Sequence, residues 1–148
     1  MKKISEFMKL EHAHLDKLWA DLETEQNKKK SKRILRKFSD DLFTHIKLED
    51  EIISPIFNKY LGIEKGKGPT TVMSSDHEKI AQLLGKVKVA KEKEDEKQLT
   101  QLMTHFRRAL TSHHEKETKM QYPLFDNIIS PRDWEKILEK KYHKSKVH

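Results

Sequence analysis

Residues 45–55 read HIKLEDEIISP, and residues 113–123 read HHEKETKMQYP. In each stretch a histidine stands four residues before a glutamate, and a proline lies ten residues past the histidine. The trios are His45, Glu49, Pro55 and His113, Glu117, Pro123. An i, i+4 pair shares one face of an α-helix, so each stretch predicts a helix presenting an imidazole beside a carboxylate. Working outward, each stretch is preceded by a lone histidine with an acid directly before it, Glu11-His12 and Asp76-His77. Imidazoles and carboxylates together make a mixed nitrogen/oxygen metal site. Two copies point to a site built symmetrically from four helices.

The apolar periodicity agrees. Ile4, Met8, Leu15, Trp19 and Leu22 recur at helical spacing around His12, predicting a first helix over about 4–26. A second, capped by Ser31, carries Ile34, Leu35, Phe38, Leu42, His45, Glu49, Ile52 and Ile56 and fades near Tyr60, with Pro55 expected to kink it. The segment Gly62 to Pro69 holds three of the four glycines and predicts the main loop. A third helix starts at Thr70 or Thr71, with Met73, His77, Ile80, Leu84 and Val87 on one face. The run from Lys91 to Gln98 has no apolar residue and predicts a turn. A fourth helix shows Leu99, Leu102, Phe106, Leu110, His113, Glu117, Met120 and Leu124. After Pro131 a short amphipathic helix, Trp134 to Tyr142, is expected to cover one end. The fold class is therefore all-α: an up-down-up-down antiparallel four-helix bundle over about 4–129 with a short C-terminal helix and tail, in a single domain spanning 1–148.

In such a bundle, residues on adjacent helices share a height when the turn lies halfway between them. The midpoint of positions 12 and 45 is 28.5, in the lysine run; that of 45 and 77 is 61, beside Gly62; that of 77 and 113 is 95, in the charged run. Breaks placed on polarity alone thus put all four histidines in one layer. An error of three residues shifts that layer by only about 4.5 Å. Burying so many polar groups without a partner costs several kcal/mol each; ligation removes that cost. His12, His45, Glu49, His77, His113 and Glu117 are the expected metal ligands, and no residue reads as catalytic. His14 and His114 are turned away from His12 and His113 by about 200° and 100° of helical phase, and His105 lies on the rim of its stripe. His143 and His148 belong to the tail.

Composition sets further bounds. Of the 148 residues, 34% are hydrophobic and 37% charged, which suits a helical protein with solvated outer faces. The absence of cysteine excludes disulfides, thiolate metal sites and iron–sulfur clusters. No apolar run approaches the ~20 residues of a membrane span, and the N-terminus has no signal-peptide core; a cytoplasmic location and no membrane partner are expected. The net charge of +7 reads as solvated lysine. Its clusters, Lys28 to Arg33 and the tail from Lys140, come with no aromatic-laced stripe, so no nucleic-acid partner is expected. The oligomeric state is left open.

Six ligands exceed a tetrahedral zinc site. They suit two metals about 3.5–4 Å apart, each with two imidazoles and both glutamates bridging. Such ligation favours iron, with manganese or zinc as alternatives. The Glu-x-x-His motif of ferritin-like di-iron bundles does not occur at matched positions.

The stretches around His12 (EHAHLDKLW), His45 (HIKLEDEIISP), His77 (DHEKI) and His113 (HHEKETKMQYP) resemble hemerythrin-like, or HHE cation-binding, domains over about 4–129. The resemblance implies a bundle holding two non-haem, oxo- or hydroxo-bridged iron ions that bind O2 or related small molecules. His12, His45, His77 and His113 would be terminal ligands, with Glu49 and Glu117 as bridges. The chain departs from the well-known oxygen carriers. They place a fifth histidine one turn before the third-helix ligand, where this chain has Met73, and end in an aspartate five residues after the last histidine. Either an open position results or an aromatic or acidic residue fills it. The chain resembles instead the four-histidine, two-glutamate proteins of iron handling and nitric-oxide or oxidative-stress responses. The first functional expectation is a non-enzymatic protein binding O2 or nitric oxide for sensing, storage or stress response. The alternatives are a di-iron enzyme acting on peroxide or nitric oxide, or an iron donor that repairs damaged centres. An iron-dependent interaction module is a third reading.

Overall fold

The computed structural model describes residues 2–147, with side chains to residue 141. Tyr142, His143 and His148, assigned above to the end of the chain, lie outside the residues whose side chains are described. The described chain is helical, with no β-strand among the described residues. Helix α1 spans Ile4–Thr24 and α2 spans Lys28–Lys47. A wide π-helical turn, Leu48–Ile53, joins α2 to α3 (Ser54–Leu61) without a break in helical backbone. Helix α4 spans Pro69–Glu92 and α5 spans Glu96–Lys116. A second π-helical turn, Glu117–Gln121, joins α5 to α6 (Tyr122–Ile128), and α7 runs Pro131–Val147. The packing is that of a helical bundle, with α1 against α2 and α4 against α5 as the most extensive pairs.

Besides α7, which spans Pro131–Val147 against the expected Trp134 to Tyr142, three boundaries differ from the expected ones for local reasons. Asn27, not Ser31, caps α2: its side-chain oxygen accepts the Lys30 N–H at 3.0 Å, so the lysine run forms the first turn of the helix. The charged run breaks only over residues 93–95, where Glu94 takes a left-handed φ of 55° and Asp95 caps α5 through the Gln98 N–H. Pro69, whose fixed φ suits a first helical position, starts α4 one residue early.

The expected kink at Pro55 is instead the wide turn. Proline has no N–H and its ring clashes with the carbonyl four residues back. Both wide turns close one residue before a proline, with Ser54 N–H donating to the Glu49 carbonyl and Tyr122 N–H to the Glu117 carbonyl, five residues back. The extra residue shifts the helical phase beyond each turn by one position. The buried side chains there are Ile53 and Phe57, rather than Ile52 and Ile56. In the second copy they are Tyr122 and Phe125, while Met120 and Leu124, expected inside, are 66% and 42% exposed.

Two apolar clusters result. One joins Leu15, Trp19, Phe38, Leu42, Leu84 and Phe106 with their neighbours. Its Trp19, Phe38 and Phe106 rings lie 4.6–5.7 Å apart, the Phe38–Phe106 pair edge-on. The other joins Ile4, Met8, Ile53, Phe57, Met73, Tyr122 and Phe125, with Trp134 of α7 set edge-on to Phe7 across that end. Each lone histidine and each histidine–glutamate pair falls between residues of the two clusters: His12 lies between Met8 and Leu15, and His77 between Met73 and Ile80. A polar layer is thus held between two apolar blocks. Phe38→Ala, at a fully buried ring, is expected to cost about 3–5 kcal/mol, and Asn27→Ala about 1 kcal/mol, in urea denaturation of the metal-free protein.

Candidate metal centre

Helices α1, α2, α4 and α5 and the two wide turns bring His12, His45, Glu49, His77, His113 and Glu117 into this one buried layer. Glu117 lies at its centre. Its Oε1 is 3.3 Å from His12 Nε2 and 3.3 Å from His113 Nε2, and its Oε2 is 3.8 Å from His77 Nε2. Glu49 Oε1 is 2.8 Å from His45 Nε2 and 3.7 Å from His77 Nε2. Among the described residues, two groups of donors come within metal-binding reach of one another: His12, His45, His114 and Glu117, and His77, His113 and Glu117. Glu117 belongs to both.

These contacts are close, but few are hydrogen bonds. Of eleven buried side-chain nitrogen and oxygen atoms without a hydrogen-bond partner among the described residues, seven belong to the layer. They are both ring nitrogens of His45, Nε2 of His77 and of His113, Oε1 of Glu49 and both carboxylate oxygens of Glu117. Buried polar atoms are nearly always paired. Here six of them face a common centre, while His45 Nδ1 faces the outer side of the layer.

The far side of the layer fixes the rings. His77 Nδ1 donates to Asp50 Oδ1 at 2.9 Å, and His113 Nδ1 donates to Asp76 Oδ2 at 3.2 Å. Glu11 Oε1 lies 3.8 Å from His45 Nδ1. The acid directly before each lone histidine thus serves the histidine of the neighbouring helix: Glu11 faces His45, and Asp76 faces His113. A carboxylate on Nδ1 holds a ring in the tautomer that leaves Nε2 free to bind a cation. Asp50 does the same for His77. Its counterpart one residue past Glu117 is Thr118, so the pattern is incomplete at His12.

The electrostatics follow from burial and facing charge. Burial disfavours a charged His45, but Glu49, Glu11 and Glu117 outweigh it and push its pKa up to about 10. Burial opposes a charged His77 as well, and Asp50, Glu117 and Glu49 raise its pKa to about 9. Glu49 is raised to about 7 by burial and by Glu117. Glu117, despite burial, is held well below the usual carboxylate range by the neighbouring Glu49 carboxyl and the imidazoles of His113, His12 and His77. His12 is lowered, chiefly by burial.

One histidine was not expected here. His114 is buried, and its ring stacks on His12 with centroids 3.6 Å apart and planes 8° from parallel. A turn of 100° away from the inward face carries a side chain to the flank of α5, where α1 packs, and not to solvent. Burial and the facing His12 push its pKa far down. Together they floor a cavity of about 250 Å³ rimmed by Asp16, Thr111, Glu115 and Thr118. The doubled histidine at 113–114 was the only sequence signal. By contrast His14 is exposed as its helical phase implies, pairing with Asp41 at 2.7 Å, and His105, placed on the rim of its stripe, is exposed too. Glu51 is exposed as well. Tyr122 was also missed, because the wide turn rotates it inward; its hydroxyl lies 2.8 Å from His12 Nε2 and donates to Glu49 Oε2 at 3.2 Å.

Among the described residues no helix is long and apolar enough to cross a membrane. No curated protein and no solved structure gives a match to the chain. A family model described as the hemerythrin HHE cation binding domain matches residues 3–127. That span takes in both wide turns, the six converging side chains and the acids behind them, and the chain belongs to the hemerythrin HHE cation-binding family.

Proposed function

We propose that this chain is a non-haem di-iron protein that binds a diatomic ligand, O2 or nitric oxide, for sensing, storage or a stress response. The centre is held by His12, His45, Glu49, His77, His113 and Glu117, on helices that run alternately up and down. The observation that supports it is the set of six orphaned atoms turned toward one centre. Metal–nitrogen and metal–oxygen bonds of about 2.0–2.2 Å set neighbouring donors of one coordination sphere roughly 3 Å apart. The separations of 2.8, 3.3 and 3.3 Å around Glu49 and Glu117 match that spacing. Imidazoles and carboxylates without thiolate suit iron, and the sharing of Glu117 by both donor groups suits two ions rather than one. When bound, a ferrous pair supplies the electrons and open positions that a diatomic needs. The protein holds the ions, fixes the ring tautomers through Asp50, Asp76 and Glu11, and keeps the layer dry between its apolar blocks.

Anaerobic loading should give close to two irons per chain, with a visible band that appears on adding nitric oxide or O2 and reverses on its removal. Immediate irreversible oxidation with no ligand complex would argue against the reading, and multiple turnover of peroxide or nitric oxide would move it to an enzyme. His113→Ala and Glu117→Ala should each lose at least one of the ions by metal analysis.

In the metal-free protein His45 and His77 titrate near 10 and 9, above the ordinary 6.5. The stability they contribute is full below pH 6.5 and is lost as the pH rises through 9 to 10. Ligation requires the same protons to leave. Titrating the metal into weakly buffered protein at neutral pH should therefore release protons, and apparent affinity should rise from pH 6 to pH 8. The melting temperature of the metal-free protein should fall toward pH 10. Chelation of protein held at 1,000 times the dissociation constant should remove about 4 kcal/mol, lowering the melting temperature by roughly 10 °C.

A further inference from the structure

The twofold repeat of the layer is broken at Thr118 and again just beyond the wide turns. Tyr122 stands five residues past Glu117 and directly before Pro123; its counterpart, five residues past Glu49 and directly before Pro55, is Ser54. Each is the first residue beyond its wide turn, and both are buried. A serine oxygen sits one bond from Cβ, whereas a tyrosine oxygen sits across a ring. The phenol accordingly reaches the donor layer, with its oxygen 2.8 Å from His12 Nε2 and 3.2 Å from Glu49 Oε2. Those two values bracket the roughly 3 Å between neighbouring donors on one ion that bonds of about 2.0–2.2 Å require. The Ser54 hydroxyl finds no hydrogen-bond partner among the described residues and lines a cavity of about 550 Å³ with Asp50, Thr70 and Ser74.

The two halves of the layer are therefore unequally supplied. The His12/His45 half has the phenol within the cluster. The His77/His113 half has Ser54 at the matching position, and Met73, one turn before His77, brings no donor. Hydrogen bonding alone leaves the phenol poorly placed once a cation is bound. In the metal-free arrangement its proton goes to Glu49 and its oxygen faces His12 Nε2. A cation at His12 Nε2 occupies that nitrogen, so the phenol keeps only Glu49 as a hydrogen-bond partner unless it too binds.

Resting on the di-iron reading, we infer that Tyr122 is a metal ligand on the His12/His45 side, and that the position left for an exogenous small ligand is on the His77/His113 side, next to Ser54. The exchange moves no electrons: a metal–oxygen bond forms, the phenolic O–H bond breaks, and the proton is released to bulk water. The cation is ferric iron, the state that holds a phenolate most strongly.

The test is the visible and resonance Raman spectrum of the full chain loaded with iron and oxidised, alongside Tyr122→Phe. The wild type should show a phenolate-to-iron charge-transfer band and enhanced tyrosinate ring modes that shift on incorporating ring-deuterated tyrosine. Tyr122→Phe should lose both while keeping its iron. Azide, used as the exogenous probe, should add its own band and leave the tyrosinate modes in place. Iron bound by the wild type without tyrosinate modes overturns the ligand assignment, whatever the variant does. Loss of those modes on adding azide overturns the assignment of the free side. A wild type that takes up no iron overturns the di-iron reading, and this inference with it.

Discussion

Everything in this protein is arranged around a buried polar layer that cannot satisfy itself. Four imidazoles and two carboxylates lie between two apolar clusters, close enough for ion pairing yet with seven atoms lacking hydrogen-bond partners among the described residues. In a low-dielectric interior, unpaired polar atoms are costly. The natural resolution is a cation at the point they share. The apolar blocks enclose the layer on two sides, and the acids behind the rings keep the imidazoles from turning away from it.

Those outer acids show how little is left to chance at three rings and how differently the fourth is held. Asp50, Asp76 and Glu11 stand behind His77, His113 and His45. His12 has no carboxylate partner of this kind; it is held by the flat face of His114 and by the Tyr122 hydroxyl. The sequence repeat is thus a repeat of positions rather than of chemistry. The two halves share a backbone plan and differ at Asp50 against Thr118 and at Ser54 against Tyr122.

Much of the layer was legible because its signal is geometric. His45 with Glu49 and His113 with Glu117 announce a shared helix face by spacing alone. The midpoint arithmetic works because the breaks, at 25–27, 62–68 and 93–95, fall within a few residues of the midpoints. The rest depends on departures from an ideal helix or on neighbours distant in sequence, which spacing does not record. Tyr122, Ile53 and Phe57 face inward, and Met120 and Leu124 outward, because one extra residue in each wide turn rotates the helix beyond it. His114 is buried because α1 covers the flank of α5, which no periodicity within α5 reveals. Asp50 and Asp76 acquire their roles only when a neighbouring helix supplies the ring. The capping by Asn27 was open to reading, but the three lysines after it suggested a loop.

The prolines at 55 and 123 carry a consequence beyond their local effect. Neither can donate the hydrogen bond that would let an ordinary helix continue through the preceding turn, so neither wide turn has a regular register to fall back on. The azimuth of everything past each glutamate is therefore written into the covalent chain at an imino acid. The scaffold meets its ion already wound to the right phase, and the ion has only to arrive.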